Sequence, residues 1–191
     1  MVRRRNIIIV SARRSGTHLL TDLIVNNFDY ESIEYNYIDY PKFTGKPKYP
    51  TSELDKLIVA MNEGNKVTWT HSHDYRDYRK FNHTKEEKDE LDRFFKESKI
   101  ILIYRDIRDI IDSCYHRPRY KNKYKDFTDF YNSFDFDGYE LVDQRYNNIT
   151  ELLVQYYKNW FSVYMSRELL ELDMEIISYE NIISDYKQSV N

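Results

Sequence analysis

The sequence predicts a three-layer α/β fold, a mostly parallel central sheet flanked by helices, formed as one domain over residues 1–191. Three observations lead there. Short aliphatic runs alternate along the chain with stretches of helical period. The first run, Ile7-Ile8-Ile9-Val10, lacks the polar alternation of a sheet open to water on one side, as a strand covered on both faces does. No internal repeat or Pro/Gly-rich linker divides the chain, and 191 residues fall within the roughly 100–200 of one compact domain.

Ile7-Ile8-Ile9-Val10 reads as the first strand, Ser11 to Thr17 as a tight turn, and His18 to Asn26 as a helix. Pro41 to Pro50 holds most of the prolines and reads as a surface loop. Leu54, Leu57, Ile58 and Met61 make one helix face, with Ser52 as N-cap and Gly64 as stop. Val67 to His71 is a short strand, and Thr84-Lys85-Glu86-Glu87 is a capping box opening a helix that carries Leu91, Phe94 and Phe95. Lys99 to Tyr104 is a third strand, followed by a helix whose apolar face is Ile107, Ile110, Ile111 and Cys114. Residues 116–148 show no clear period and read as loop and short helix. A long helical pattern runs from Thr150 to Leu172, and Met174 to Ser178 is a last strand before a short tail.

Composition narrows the function. With 41% apolar and 32% charged residues and a mean hydropathy of −0.79, the chain has a core and a polar surface. A net charge of −3 gives no global basic field, so nucleic acid is not an expected partner and any anion site must be local. The aliphatic run Ile7 to Val10 is far below the ~20 residues that span a bilayer, and Arg3, Arg4 and Arg5 precede no signal-peptide core. No transmembrane segment is expected, and the location expected is intracellular and cytoplasmic. The lone Cys114 excludes an intrachain disulfide framework or a Cys-rich zinc site. His71 and His73 share a strand face without further ligands nearby in sequence, so no metal is expected.

In a parallel sheet, ligands bind beyond the carboxyl ends of the strands, where helix N-termini present N–H groups to anions. The turn after the first strand lies there. Gly16 lets backbone approach an anion closely, Ser15 and Thr17 carry hydroxyls, and Arg13 and Arg14 carry permanent charge. The turn is P-loop-like, yet it is not a Walker sequence, because no Gly-x-x-x-x-Gly-Lys-Ser/Thr is present.

Arg14-Ser15-Gly16-Thr17-His18-Leu19-Leu20 resembles the 5′-phosphosulfate loop of sulfotransferases that use 3′-phosphoadenosine 5′-phosphosulfate (PAPS). The resemblance implies that Arg14 touches the bridging oxygen and sulfonate, while Arg13, Ser15, Gly16, Thr17 and His18 surround the 5′ end. His18 departs from the family's second threonine. Arg105-Asp106-Ile107-Arg108-Asp109-Ile110-Ile111-Asp112-Ser113, directly after a strand, resembles the family's 3′-phosphate segment, which assigns Arg105 and Ser113 to that phosphate. Asp106 is placed to cap the helix with Asp109 at N3. Thr68-Trp69-Thr70-His71 resembles the segment ending in the family's general base, with His71 in its place and His73 in reserve. An imidazole, with an ordinary pKa near 6.5, suits removal of a hydroxyl proton near neutrality. Ser178-Tyr179-Glu180-Asn181-Ile182 resembles the segment after the last core strand, placing Tyr179 beside the adenine, and Tyr156 to Trp160 resembles the aromatic helix before it. The family's cytosolic members continue into an Arg-Lys-Gly-rich segment on the 3′-phosphate. Here Arg117, Arg119 or Lys121 takes its place, or the donor is held weakly.

The resemblance implies transfer of a sulfonate from PAPS to a hydroxyl or amine of a small-molecule, carbohydrate or other acceptor, with 3′-phosphoadenosine 5′-phosphate (PAP) as product. Two alternatives remain open on the sequence: a P-loop-like nucleotide kinase, and a non-catalytic nucleotide-binding module.

Overall fold

The computed structural model describes residues 5–33, 62–71, 85–133 and 148–190, with Val59 and Tyr146. The loop over Pro41 to Pro50, most of the helix expected around Leu54 to Met61, the capping residue Thr84, and His73 and His83 lie outside these residues.

Five strands, β1 (Ile7–Ser11), β2 (Glu31–Ser32), β3 (Lys66–Thr70), β4 (Lys99–Tyr104) and β5 (Asp173–Ser178), form one sheet in the order β2-β3-β1-β4-β5. All its pairings are parallel, with Ile9 of the central strand level with Trp69 on one side and Ile101 on the other. The helices are α1 (Thr17–Asn27), α2 (Lys85–Glu97), α3 (Ile107–Tyr115), α4 (Pro118–Lys121), α5 (Phe127–Asn132), α6 (Ile149–Met165) and α7 (Tyr179–Val190).

Strand periodicity divides the core between two faces. Ile8, Val10, Ile100 and Leu102 pack with Leu91 and Phe95 of α2, Ile110 and Ile111 of α3, and Leu152, Tyr156 and Trp160 of α6. Ile9, Ile101 and Ile103 turn to the other face, where Val67 and Trp69 meet Leu20 and Ile24 of α1 and Ile182 of α7. The fully covered aliphatic runs therefore read as they do because helices lie on both sides. The consequence for function lies at the sheet's carboxyl edge. Adjacent β1 and β4 send their following helices, α1 and α3, to opposite faces, which opens a crevice between the two connections.

Three parts of the sequence reading change. Strand β2 has only two exposed residues, Glu31 and Ser32, and so carries no apolar pattern. The pattern expected to run helically to Leu172 breaks at Met165, with Ser166 as C-cap. Beyond it, Leu172 N–H bonds the Arg167 carbonyl at 2.8 Å and Glu171 N–H that of Glu168 at 3.2 Å, with Glu171 left-handed at φ 57°. That is a helix-terminating loop built without the glycine that usually signals it. Finally, the tail is helix α7: the Ser178 hydroxyl accepts from Asn181 N–H at 3.2 Å and caps it.

Candidate functional site

The loop from β1 into α1 is held from below. Ser15 N–H bonds the Ala12 carbonyl at 3.2 Å, the Ser11 and Thr17 hydroxyls bond each other, and the Ser15 hydroxyl meets the Tyr157 hydroxyl of α6 at 3.1 Å. The side chains of Ser15 and Thr17 are thus buried and engaged within the fold. Arg14 is left-handed at φ 70° and Gly16 at φ 98°. Gly16 could not be replaced without displacement, since a Cβ there would lie 2.4 Å from Cδ2 of Tyr179. Gly16 is also the N-cap of α1 and offers no side-chain hydrogen bond, whereas α3, α5 and α6 are capped by Asp106, Asp126 and Asn148. The first amides of α1 have no intrahelical partners and gain no side-chain cap, which suits them to an anion.

The second segment leans on the first. Arg14 Nη2 donates to Ser113 Oγ at 3.3 Å, and Arg105 Nη1 donates to the Arg14 carbonyl at 2.9 Å. The Arg105 guanidinium lies 4.3 Å from the centre of the Tyr179 ring, and its Nε is buried with no hydrogen-bond partner among the described residues. Arg14, Gly16, Arg105, Ser113 and Tyr179 therefore form one contiguous group. Neither Arg14 nor Arg105 is salt-bridged to a described residue. A buried charged donor without a partner carries a desolvation cost.

Asp106 takes the capping place expected of it, accepting from Arg108 N–H at 2.8 Å. The Arg108 guanidinium and amide hold its carboxyl down at about 2. Glu180 at the start of α7 accepts from Asp106 N–H at 3.4 Å and from the Ser178 hydroxyl at 2.8 Å. Burial pushes the Glu180 carboxyl up, but hydrogen bonds from its own amide, Ser178 and Asp106, with the nearby Arg105 charge, leave it below the usual range.

His71 directly follows β3, and its Nδ1 lies 2.7 Å from the Ser11 carbonyl. A carbonyl only accepts, so Nδ1 carries the proton and Nε2 is the basic nitrogen. His18 is exposed, its ring edge-to-face with Trp69 at 5.5 Å. Arg13, next in the chain to Arg14, is half-buried. Sequence reasoning missed Tyr157, Ser11 and Glu180. The aromatic run of α6 was visible, but nothing in it separates Tyr156, packed in the core, from Tyr157, whose hydroxyl reaches the loop. A cleft of about 560 Å³, lined by Tyr104, Ile107, Val154, Tyr157, Lys158 and Phe161 among others, lies on the α6 side of Arg105. Among the described residues no group of His, Cys, Asp and Glu is arranged to hold a metal, and no helix is long and apolar enough to cross a membrane.

A parallel α/β sheet with an uncapped, glycine-bearing loop and a second arginine-bearing connection at the same edge defines a protein built to hold a phosphorylated ligand. The model of the sulfotransferase domain matches residues 4–191, so the chain belongs to the sulfotransferase family. No match was found among curated proteins. Among solved structures, a sulfotransferase from Alicyclobacillus acidocaldarius is 18% identical with a TM-score of 0.56, covering 99% of this chain and 78% of its own. The mouse sulfotransferase SULT7A1, solved in complex with PAP, is 17% identical with a TM-score of 0.51 and covers 99% of this chain. The present chain spans 56% of the length of that mouse enzyme.

Proposed function

We propose that the protein transfers a sulfonate from PAPS to a hydroxyl or amine of a small-molecule or carbohydrate acceptor and releases PAP. The observation that carries this reading is the interlocking of the two expected phosphate segments, through Arg14 with Ser113 and Arg105 with Arg14. The binding of PAP by the mouse relative supports the choice of nucleotide. When bound, the donor supplies the sulfonate group and a phosphate leaving group. Arg14 and the amides at the start of α1 stabilise charge at the 5′ end, with Arg13 and His18 beside them. Arg105 and Ser113 hold the 3′-phosphate, and Tyr179 lines the adenine side. His71 removes the acceptor proton at Nε2. These roles are filled by side chains and amides. A nucleotide kinase remains the weaker reading, because no lysine stands in the Walker position of the loop.

Titration of the parent and Arg105→Ala proteins with PAP and AMP tests the reading. Hydrogen bonds to charged groups contribute about 1.5–3 kcal/mol, so the parent should favour PAP by tenfold or more. The preference should collapse in Arg105→Ala while AMP binding changes little. Equal parent affinity for the two nucleotides, or tighter binding of magnesium-ATP, would sink it.

A further inference from the structure

Tyr157 projects from the middle of α6 and is 6% exposed. Its hydroxyl oxygen accepts from Arg105 N–H at 3.2 Å and lies 3.1 Å from Ser15 Oγ. The Arg105 amide can only donate. The phenol's own proton is buried and needs an acceptor, and Ser15 Oγ is the one its contacts provide. The hydrogen bonds then run in one direction, from the Arg105 amide through Tyr157 to Ser15. Burial pushes the phenol's pKa up against the opposing effects of Ser15 and the Arg105 amide, so it keeps that proton at every working pH. The ring is fixed by Tyr156, edge-to-face at 5.5 Å, and by Phe161 at 6.2 Å.

The location gives this contact its meaning. Ser15 belongs to the connection that leaves for one face of the sheet through α1, and Arg105 to the one that leaves for the other through α3. Tyr157 bonds both where they diverge. We propose that Tyr157 is a positioning residue that ties the 5′-side loop to the 3′-side segment, so that a nucleotide phosphorylated at both ends meets one preset spacing. It touches neither phosphate itself. Without its hydroxyl each segment keeps its own donors, and the Arg14–Ser113 and Arg105–Arg14 contacts remain, but the buried tie is lost and the distance between the segments is held less firmly in advance. The cost then falls on ligands that engage both ends at once. This inference rests on the nucleotide reading above.

Dissociation constants for PAP, AMP and adenosine 3′-monophosphate, measured calorimetrically on parent and Tyr157→Phe proteins, test it. The two-ended gain is the product of the two single-ended constants divided by that for PAP. In Tyr157→Phe this gain should fall about tenfold, with each single-ended constant within about twofold of the parent's. A general loss of packing would instead weaken all three ligands together, and that result overturns the inference, as does an unchanged gain. Ser15→Ala removes the same bond from the loop side and carries the test if Tyr157→Phe does not fold. Its gain should also fall about tenfold, and adding Tyr157→Phe should lower it no further, because both changes remove one interaction. Full additivity overturns the proposal. A parent protein with no preference for PAP would remove the nucleotide reading itself, an outcome visible before any variant is compared.

Discussion

Arg14 is the side chain in which conformation and chemistry meet most directly. A left-handed backbone is unfavourable for a non-glycine residue, and here it accompanies a guanidinium that reaches across to Ser113 while the Arg14 carbonyl receives Arg105. The Ser113 contact orients the guanidinium toward the segment that follows β4. Preorganised charge acts mainly on what develops in the transition state, so Arg14→Ala should lower turnover at saturating donor by about 10²-fold or more, with a far smaller change in PAP affinity. Lysine should restore part of the loss. His71 is the complementary case, because its Nδ1 bond to Ser11 fixes the tautomer but places no charge in the site. His71→Ala should remove most transfer and leave PAP binding nearly intact, and the parent's rate should fall toward acid as the imidazole takes up a proton. If either variant turned over within a few-fold of the parent, its assigned role would be wrong.

At the level of elements, α3 shows how a helix start serves both stability and placement. Asp106 accepts from the second helical amide and pairs with Arg108, and its own N–H is held by Glu180 at the start of α7. The carboxyl is depressed from 3.8 to about 2, chiefly by the Arg108 side chain. A depressed acid stabilises the fold above its unfolded pKa and loses that contribution as pH falls toward the folded value. Asn caps as well as Asp but does not titrate. Asp106→Asn should therefore be less stable than the parent near neutrality, and the difference should close between pH about 4 and 2. Added salt should shrink it, since the pair faces solvent. Urea midpoints of both proteins across that range decide the point, and a parent advantage that widened toward acid would reverse the argument. The same cap was legible in the sequence, as were β4, α3 and the buried strand β1, because each has a period or a capping residue of its own. The carboxyl end of α6 and the identity of α7 were not. Leu169 and Leu170 extend the apolar spacing although Leu169 is 87% exposed, and Glu171 turns left-handed where a glycine would have announced the stop. Tyr157 was illegible for a different reason: its partners are 142 and 52 residues away in the chain.

The whole molecule is polarised by having parallel strands. Ile7, Lys99 and Asp173 stand level at one edge of the sheet and Ser11, Ile103 and Ile177 near the other. At the first edge the charges are matched, with Arg5 and Lys99 both on Asp173 and Lys99 also on Glu175. At the second, Arg14 and Arg105 are not salt-bridged to any described residue, and the helix above the first loop has no side-chain cap. In a chain of net charge −3, the described residues proposed to take the anion thus stand at one edge, in segments far apart in sequence. Ligand binding should register in all of them together. With PAP at about 100 times its dissociation constant, stability should rise by about 2.7 kcal/mol, roughly 5–10 °C in Tm. Amide hydrogen exchange should then slow in residues 14–18, 105–113 and 179–182 at the same ligand concentration, while amides around Lys99 and Asp173 keep their unliganded rates relative to global unfolding. AMP should protect 14–18 and leave 105–113 largely unchanged, since it lacks the 3′-phosphate. Protection by PAP confined to residues 14–18 would mean that the arginine-bearing connection of β4 does not take part, and that the edge binds a single phosphate.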